Sequence, residues 1–210
     1  FPAISPSYSA PPLSRTSPRA YHNPFSCASL SLWSLRVPEQ FDVVVIGSGP
    51  GGYEAAVHAA HLGKKVACVE KAELGGICLN WGCIPTKALI HDAHVFHQAV
   101  NDIAAWGLSV DKRKLQWDKI VGRSRAVANT LSNQIGFLFK KSHVTHLKGT
   151  AFIPRPGVVE VHDENGGSGL FETKNILVCT GAHNRELPGL KPDGNTVLTS
   201  REAMVLMEIP

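Results

Sequence analysis

From residue 42 onward, the apolar positions of this 210-residue chain fall into short unbroken runs. Asp42-Val43-Val44-Val45-Ile46 is one such run, the pattern of a strand covered on both faces. Gly47-Ser48-Gly49-Pro50-Gly51-Gly52 follows at once. Residues 53–62 then carry Ala55, Ala56, Ala59 and Ala60 at helical spacing. Gly63 closes that helix, with Lys64 and Lys65 beside its negative end. Val66-Ala67-Cys68-Val69 reads as a second buried strand and ends at Glu70. Strand, glycine turn, helix and strand make a βαβ unit.

Helical spacing returns over 84–105, with apolar Leu89, Val95, Phe96, Ala99, Val100 and Ile103, and stops at Gly107. A longer helix is predicted over 118–141, with Ile120, Val127, Leu131, Ile135 and Leu138 as its core face. Asp118 is expected to cap its start, and Lys140 and Lys141 suit its end. From 144 the pattern becomes strands, over 144–153, 158–162 and 170–180. Asn165-Gly166-Gly167 turns the chain between the last two. Trp106 and Trp117 are expected to pack, and Cys68 and Cys179 to fill the core.

Residues 1–38 follow no such pattern. They hold nine serines, seven prolines and three arginines, with no Asp or Glu. That composition cannot bury enough apolar surface to offset the entropy of ordering. It matches an organelle transit peptide, with a tail that carries no address as the alternative. The formal charge of +4 is mild, so nucleic acid is not implied. No apolar run is long enough for a membrane helix. Five cysteines, at 27, 68, 78, 83 and 179, have no framework spacing and argue against a secreted disulfide scaffold. The chain starts on Phe1 and ends on Pro210, and is read as a piece of a longer protein. Its expected layout is a leader over 1–38, a nucleotide-binding domain over 39–190 and a connector over 191–210.

Gly47, Gly49 and Gly52 spell G-x-G-x-x-G between a strand and a helix, with an acid, Glu70, at the end of the next strand. Gly47 allows the tight turn. Gly49 lets the backbone approach a pyrophosphate, and Gly52 lets helix and strand pack closely. The helix N-terminus offers unpaired N–H groups to phosphate. Glu70 would accept from a ribose hydroxyl. The loop alone does not separate FAD from NAD.

The segment Leu74-Gly75-Gly76-Ile77-Cys78-Leu79-Asn80-Trp81-Gly82-Cys83-Ile84-Pro85-Thr86-Lys87 is the most informative. A bridge between Cys78 and Cys83 closes a small ring worth about 2 kcal/mol, against ~3 for a 15-residue loop. Such a ring suits a bond made to open and close. On a regular helix these side chains would point roughly 140° apart, so the backbone must be irregular. Gly82 and Pro85 are expected to supply the irregularity, and Lys87 is the nearest candidate cation. Zinc ligation, a structural bridge and unpaired core cysteines are the competing readings. His91, His94 and His97 share a helix and read as surface or packing residues before they read as metal ligands.

This segment resembles the active-site signature GG-x-C-x-N-x-GC-[IV]-P-[ST]-K of the pyridine nucleotide–disulfide oxidoreductases, and is nearest to the dihydrolipoamide dehydrogenase family. Ile77, Trp81 and Thr86 stand where Thr, Val and Ser are usual. The resemblance runs from about Phe41 to Pro210 and implies an α/β fold: a Rossmann-like FAD-binding domain with a parallel sheet and a small antiparallel β-meander, here incomplete. It implies that Cys78 is the interchange thiol and Cys83 the charge-transfer thiol beside the flavin, with Lys87 near flavin N5. It further implies that Gly47, Gly49, Gly52, Glu70, Lys71, Gly76, Gly149, Ala151, Thr180 and Gly181 hold FAD. The stretch after Gly181 has Asn184 where a Pro is common. The implied activity carries electrons from protein-bound dihydrolipoamide through Cys78–Cys83 and FAD to NAD+, in a homodimer serving the lipoyl domains of 2-oxo acid dehydrogenase complexes. The implied site is an organelle matrix, mitochondrial rather than plastid. The family's NAD-binding domain and its C-terminal His–Glu pair have no counterpart in these residues. A mercuric or glutathione reductase-like enzyme and a non-catalytic nucleotide-binding module are the alternatives.

Overall fold

The computed structural model describes residues 39–109 and 115–209, so the leader expected over 1–38 lies outside the described residues. The elements run β1 (Glu39–Ile46), α1 (Pro50–His61), β2 (Val66–Glu70), α2 (Gly76–Trp81), α3 (Cys83–His97), α4 (Trp117–Lys141), β3 (Thr145–Lys148), β4 (Thr150–Arg155), β5 (Val158–His162), β6 (Ser168–Val178) and α5 (Ser200–Ala203). After α3 the chain passes through a π-helical turn, Gln98–Asp102, and a 3-10 turn, Ile103–Trp106. Among the described residues, no helix is long and apolar enough to cross a membrane.

Six strands form one sheet in the order β3-β2-β1-β6-β5-β4. β3, β2, β1 and β6 are parallel, and β4, β5 and β6 form an antiparallel meander. The expected class is therefore present, and β6 belongs to both halves. Its early residues pair with β5, and its later ones run beside β1 as far as Val178.

The unbroken apolar run of β1 serves two cores. Val43 and Val45 face α1, α2 and α4 with Ala56, Val57, Cys68, Leu79, Ile135 and Phe139. Val44 and Ile46 face the meander with Val159, Val161, Ala151 and Phe171. The parallel sheet is thus the middle of three layers. Burial also pushes the Cys68 thiol up to about 12, which leaves it an inert core filler.

Four expectations need correction. The predicted strand 144–153 is two strands. The chain bends at Gly149, and β3 and β4 lie at opposite ends of the strand order. A Cβ on Gly149 would lie 2.4 Å from the His162 carbonyl oxygen, so the bend presses backbone on backbone.

α4 buries Val121, Ser124, Ala128, Ile135 and Phe139 rather than the predicted face. Only Ile135 belongs to both sets, while Leu131 and Leu138 border the core. Small Ser124 and Ala128 let the helix approach closely, a signal that a count of large apolar residues misses. Asp118 is not the cap, because the helix begins at Trp117 after Gln116. It lies in the first turn, where its charge still suits the positive end.

Trp106 does not pack and is 61% exposed, as are much of Ile90, Val95 and Phe96. α3 rests on α2 and α4 rather than on the sheet, which leaves Ile90, Val95 and Phe96 facing outward.

Candidate active site

β1 ends at Ile46, and the chain turns at Gly47 with φ +99°, a left-handed value that favours glycine. At Gly52 a Cβ would lie 1.8 Å from the Gly47 carbonyl oxygen, so α1 leans on the strand end with room for hydrogen alone. At Gly49 and Gly51 a Cβ would meet nothing within 4 Å. These two border open space at the start of α1. Pro50 at the first helical position has no N–H to lose, and the positive end of the helix faces that space. The turn therefore fits a pyrophosphate on the chemistry of its donors and on its open flank.

Glu70, at the end of β2, accepts three hydrogen bonds. Ser48 N–H and Ser48 Oγ donate to Oε2 at 2.9 and 2.8 Å, and Ala72 N–H donates to Oε1 at 2.9 Å. A carboxylate has about four acceptor sites, so roughly one remains for a ribose hydroxyl. Gly149 N–H donates to the Glu70 carbonyl at 2.9 Å. Cys179 N–H donates to Ile46 O at 2.8 Å, which sets Thr180 beside Gly47. Gly181 follows with open space around it. Gly47, Gly49, Gly52, Glu70, Gly149, Thr180 and Gly181 are thereby gathered at the carboxyl ends of the parallel strands, where open α/β sheets bind ligands. Ala151 instead packs against the core under the meander, and Lys71 is exposed just past Glu70.

The cysteine segment is docked onto this turn. Gly75 N–H donates to the Ser48 carbonyl at 3.0 Å and to Ser48 Oγ at 3.3 Å. A Cβ on Gly76 would lie 2.8 Å from the Gly49 Cα. Asn80 is buried, and its Nδ2 donates to Leu74 O and Gly76 O at 2.9 and 3.1 Å, which closes the segment on itself.

α2 and α3 are separate helices, interrupted at Gly82 (φ −149°, ψ −109°). Cys78 lies in α2, and Cys83 is the first residue of α3. Both are free thiols, and the interruption leaves them near enough for the Cys83 thiol to act on Cys78. Pro85 contributes nothing to it. Pro85 is buried in the first turn of α3, where a missing N–H costs nothing. Cys83 is the more exposed of the two thiols.

Burial pushes the Cys78 thiol above the ordinary cysteine value, and the Cys83 thiol pushes the same way. The backbone N–H of Cys83 and the charge of Lys87 oppose the shift. Lys87 is thus a minor influence on Cys78. Removing the Cys83 sulfur should leave the backbone donor and lower the Cys78 value. Alkylation of Cys78 followed against pH should show an earlier midpoint in Cys83→Ala than in the wild type. An unmoved midpoint would show that the two sulfurs do not interact.

The family description Pyridine nucleotide-disulphide oxidoreductase matches residues 41–210. The chain belongs to the pyridine nucleotide–disulphide oxidoreductase family. It is 48% identical over 171 residues to the dihydrolipoyl dehydrogenase of Chlorobaculum parvum, covering 81% of this chain and 36% of that protein. With the mitochondrial dihydrolipoyl dehydrogenase of Homo sapiens it shares 41% over 175 residues, covering 82% and 34%. Among solved structures it superposes on LpdA from Mycobacterium tuberculosis with a TM-score of 0.70 at 25% identity, covering 80% and 37%. On the HOCl-induced flavoprotein disulfide reductase RclA from Escherichia coli, solved as a Cu(II) complex, the TM-score is 0.66 at 26% identity, covering 82% and 36%. The chain therefore spans little more than a third of the length of these relatives.

One residue that organises this site, Ser48, has no role in the sequence reading. Ser48 is fully buried and joins the glycine turn, Glu70 and the cysteine segment. Its signal was a lone hydroxyl between two glycines. Asn80, which the sequence already shows as an amide too polar for a plain core, is the second organising residue.

Proposed function

We propose that this chain is the flavin- and dithiol-bearing part of a dihydrolipoyl dehydrogenase, with FAD as resident cofactor and NAD+ as final acceptor. The observation that carries the reading is the cysteine segment docked on the dinucleotide turn, with Gly76 against Gly49, Gly75 N–H donating to Ser48, and Cys83 beside Cys78. FAD, when bound, supplies a ring that takes up two electrons. Gly47, Gly49, Gly52, Glu70, Gly149, Thr180 and Gly181 are the residues that would hold it, with Gly76, Lys71, Ala151 and Lys87 alongside.

The chain's own chemistry is thiol–disulfide exchange. A dihydrolipoyl thiolate attacks Cys78 Sγ of the oxidised pair. The S–S bond breaks and Cys83 leaves as a thiolate. The second substrate thiol then attacks the substrate sulfur of the mixed disulfide, and Cys78 leaves. The substrate has lost two electrons and two protons, and the pair has gained both. Cys78, whose neutral form burial favours, holds one of those protons at Sγ.

The test uses the full-length enzyme. NAD+ reduction by dihydrolipoamide and by dihydrolipoyl domains should exceed NADPH-driven disulfide reduction by at least about a hundredfold. The structural likeness to RclA favours a second reading, a flavin disulfide reductase, and the opposite ratio would establish it. Thiol chemistry absent in both directions would leave a nucleotide-binding module. The homodimer belongs to the same proposal and is read by sedimentation of the full-length enzyme.

We place the protein in an organelle matrix, mitochondrial rather than plastid. The support is the composition of residues 1–38 and the relatives named as mitochondrial. Residues 1–38 fused to a fluorescent reporter should carry it into mitochondria. A cytosolic or plastid signal would overturn the placement.

A further inference from the structure

Trp81, the last residue of α2, carries the largest side chain between the two thiols. Its indole lies between two guanidinium groups. Arg125 Cζ is 4.1 Å from the ring centroid and Arg201 Cζ is 4.0 Å from it. Arg125 comes from α4 and Arg201 from α5. Each cation is drawn to a face of the ring by the indole's quadrupole. The two charges oppose each other across the indole, and Glu73 offsets them at Arg125. Trp81 Nε1 is buried with no hydrogen-bond partner among the described residues. Stacking, and no hydrogen bond, therefore sets the plane of the ring.

The outer jaw of this grip is itself anchored. Thr199 and Glu202 form a reciprocal cap on α5. Thr86 Oγ1 donates to Met204 Sδ at 3.9 Å, and Trp117 Nε1 donates to the Leu206 carbonyl at 2.9 Å. Residues 199–206 thus bear on the redox helices at Trp81 and Thr86 and on α4 at Trp117. Trp81 directly precedes Gly82, where α2 gives way to α3. Whatever holds Trp81 holds that break, and with it the approach of the two sulfurs.

We infer that Trp81, gripped between Arg125 and Arg201, is a positioning residue for the Cys78–Cys83 pair and biases it toward the disulfide. The inference rests on the pair being the redox couple of the proposed function. With the grip gone, α2 and α3 hinge at Gly82. The dithiol gains conformational freedom that the cross-linked form cannot, so the disulfide loses ground. In the step at issue, two thiols give up two electrons and two protons and form one S–S bond. A small-molecule disulfide takes both, and its own S–S bond becomes two thiols.

The test equilibrates the full-length enzyme, without air, with reduced and oxidised glutathione. Thiols are then quenched by alkylation, and the peptide carrying Cys78 and Cys83 is read by mass spectrometry. Trp81→Val and Arg125→Met should each lower the equilibrium constant for the Cys78–Cys83 disulfide about tenfold, equivalent to ~30 mV for a two-electron couple. Arg201→Ala, on the exposed α5, should lower it about threefold and does not touch the core, so it reports even if Trp81→Val fails to fold. Trp81→Phe, which keeps a ring between the cations, should stay within about threefold of wild type. Constants unchanged in Arg125→Met and Arg201→Ala would overturn the clamp and leave the redox pair standing. A wild-type chain that never forms the Cys78–Cys83 disulfide would overturn both.

Discussion

Gly52→Ala should leave little folded protein, whereas Gly49→Ala should leave a folded chain whose full-length enzyme no longer retains flavin. Both glycines belong to one motif, yet the structure gives them opposite duties. The methyl group at position 52 would meet the Gly47 carbonyl oxygen at 1.8 Å and the Cys179 Cβ at 3.3 Å. Backbone cannot yield as a side chain end can, so α1 must lift off β1. Overpacking costs about 1–3 kcal/mol when side chains can shift, and this site should lie at the top of that range or above it. Domains hold only about 5–15 kcal/mol in total. Position 49 sits at φ −63°, ψ 178°, which alanine adopts freely, and its flank is open. Loss of a good N-cap should cost no more than about 1 kcal/mol. Urea unfolding midpoints separate the two effects. Equal midpoints for the two variants would refute the division of labour, as would full flavin content in Gly49→Ala.

What local pattern can carry was legible. The apolar run of β1, the glycine turn, the small residues of α1 and the acid closing β2 all lie within 32 residues, from 39 to 70. Their interactions are set by near neighbours. The same holds for Cys78, Asn80, Gly82 and Cys83, whose spacing alone demands a backbone break.

Features that depend on distant partners were misread. Residues 144–153 look like one strand because each half is strand-like, and only the layer contributed by β5 and β6 explains the bend at Gly149. The phase of α4 is set by the approach of small Ser124 and Ala128, which carry no hydrophobic signal. Trp81 looks like an ordinary aromatic substitution until Arg125 and Arg201 arrive from elsewhere in the chain. Ser48 shows its role only when Glu70 and Gly75 fold back onto it.

Cys78→Ser and Cys83→Ser should each cut dihydrolipoamide turnover of the full-length enzyme by at least about a thousandfold, because neither sulfur can complete the exchange alone. The two variants should fail differently. In the wild type, a reduced pair treated with an aromatic disulfide releases two equivalents of aromatic thiol. Cys78 Sγ opens the reagent, and Cys83 then displaces the second equivalent by closing the internal bond. The nearness of the two thiols makes that second step intramolecular. Cys83→Ser should stop after one equivalent, with the reagent trapped on Cys78. Cys78→Ser leaves the more exposed thiol. It should also release one equivalent, now with the adduct on Cys83. Cys68 is buried and holds its proton to about 12, so it stays silent in this assay, and replacing Cys27 and Cys179 by Ser in every variant keeps those two thiols out of the count. Peptide mapping of the adduct assigns the sulfur in each case. Two equivalents from Cys83→Ser, or wild-type turnover in either variant, would mean that electrons reach this domain by a route other than the Cys78–Cys83 pair.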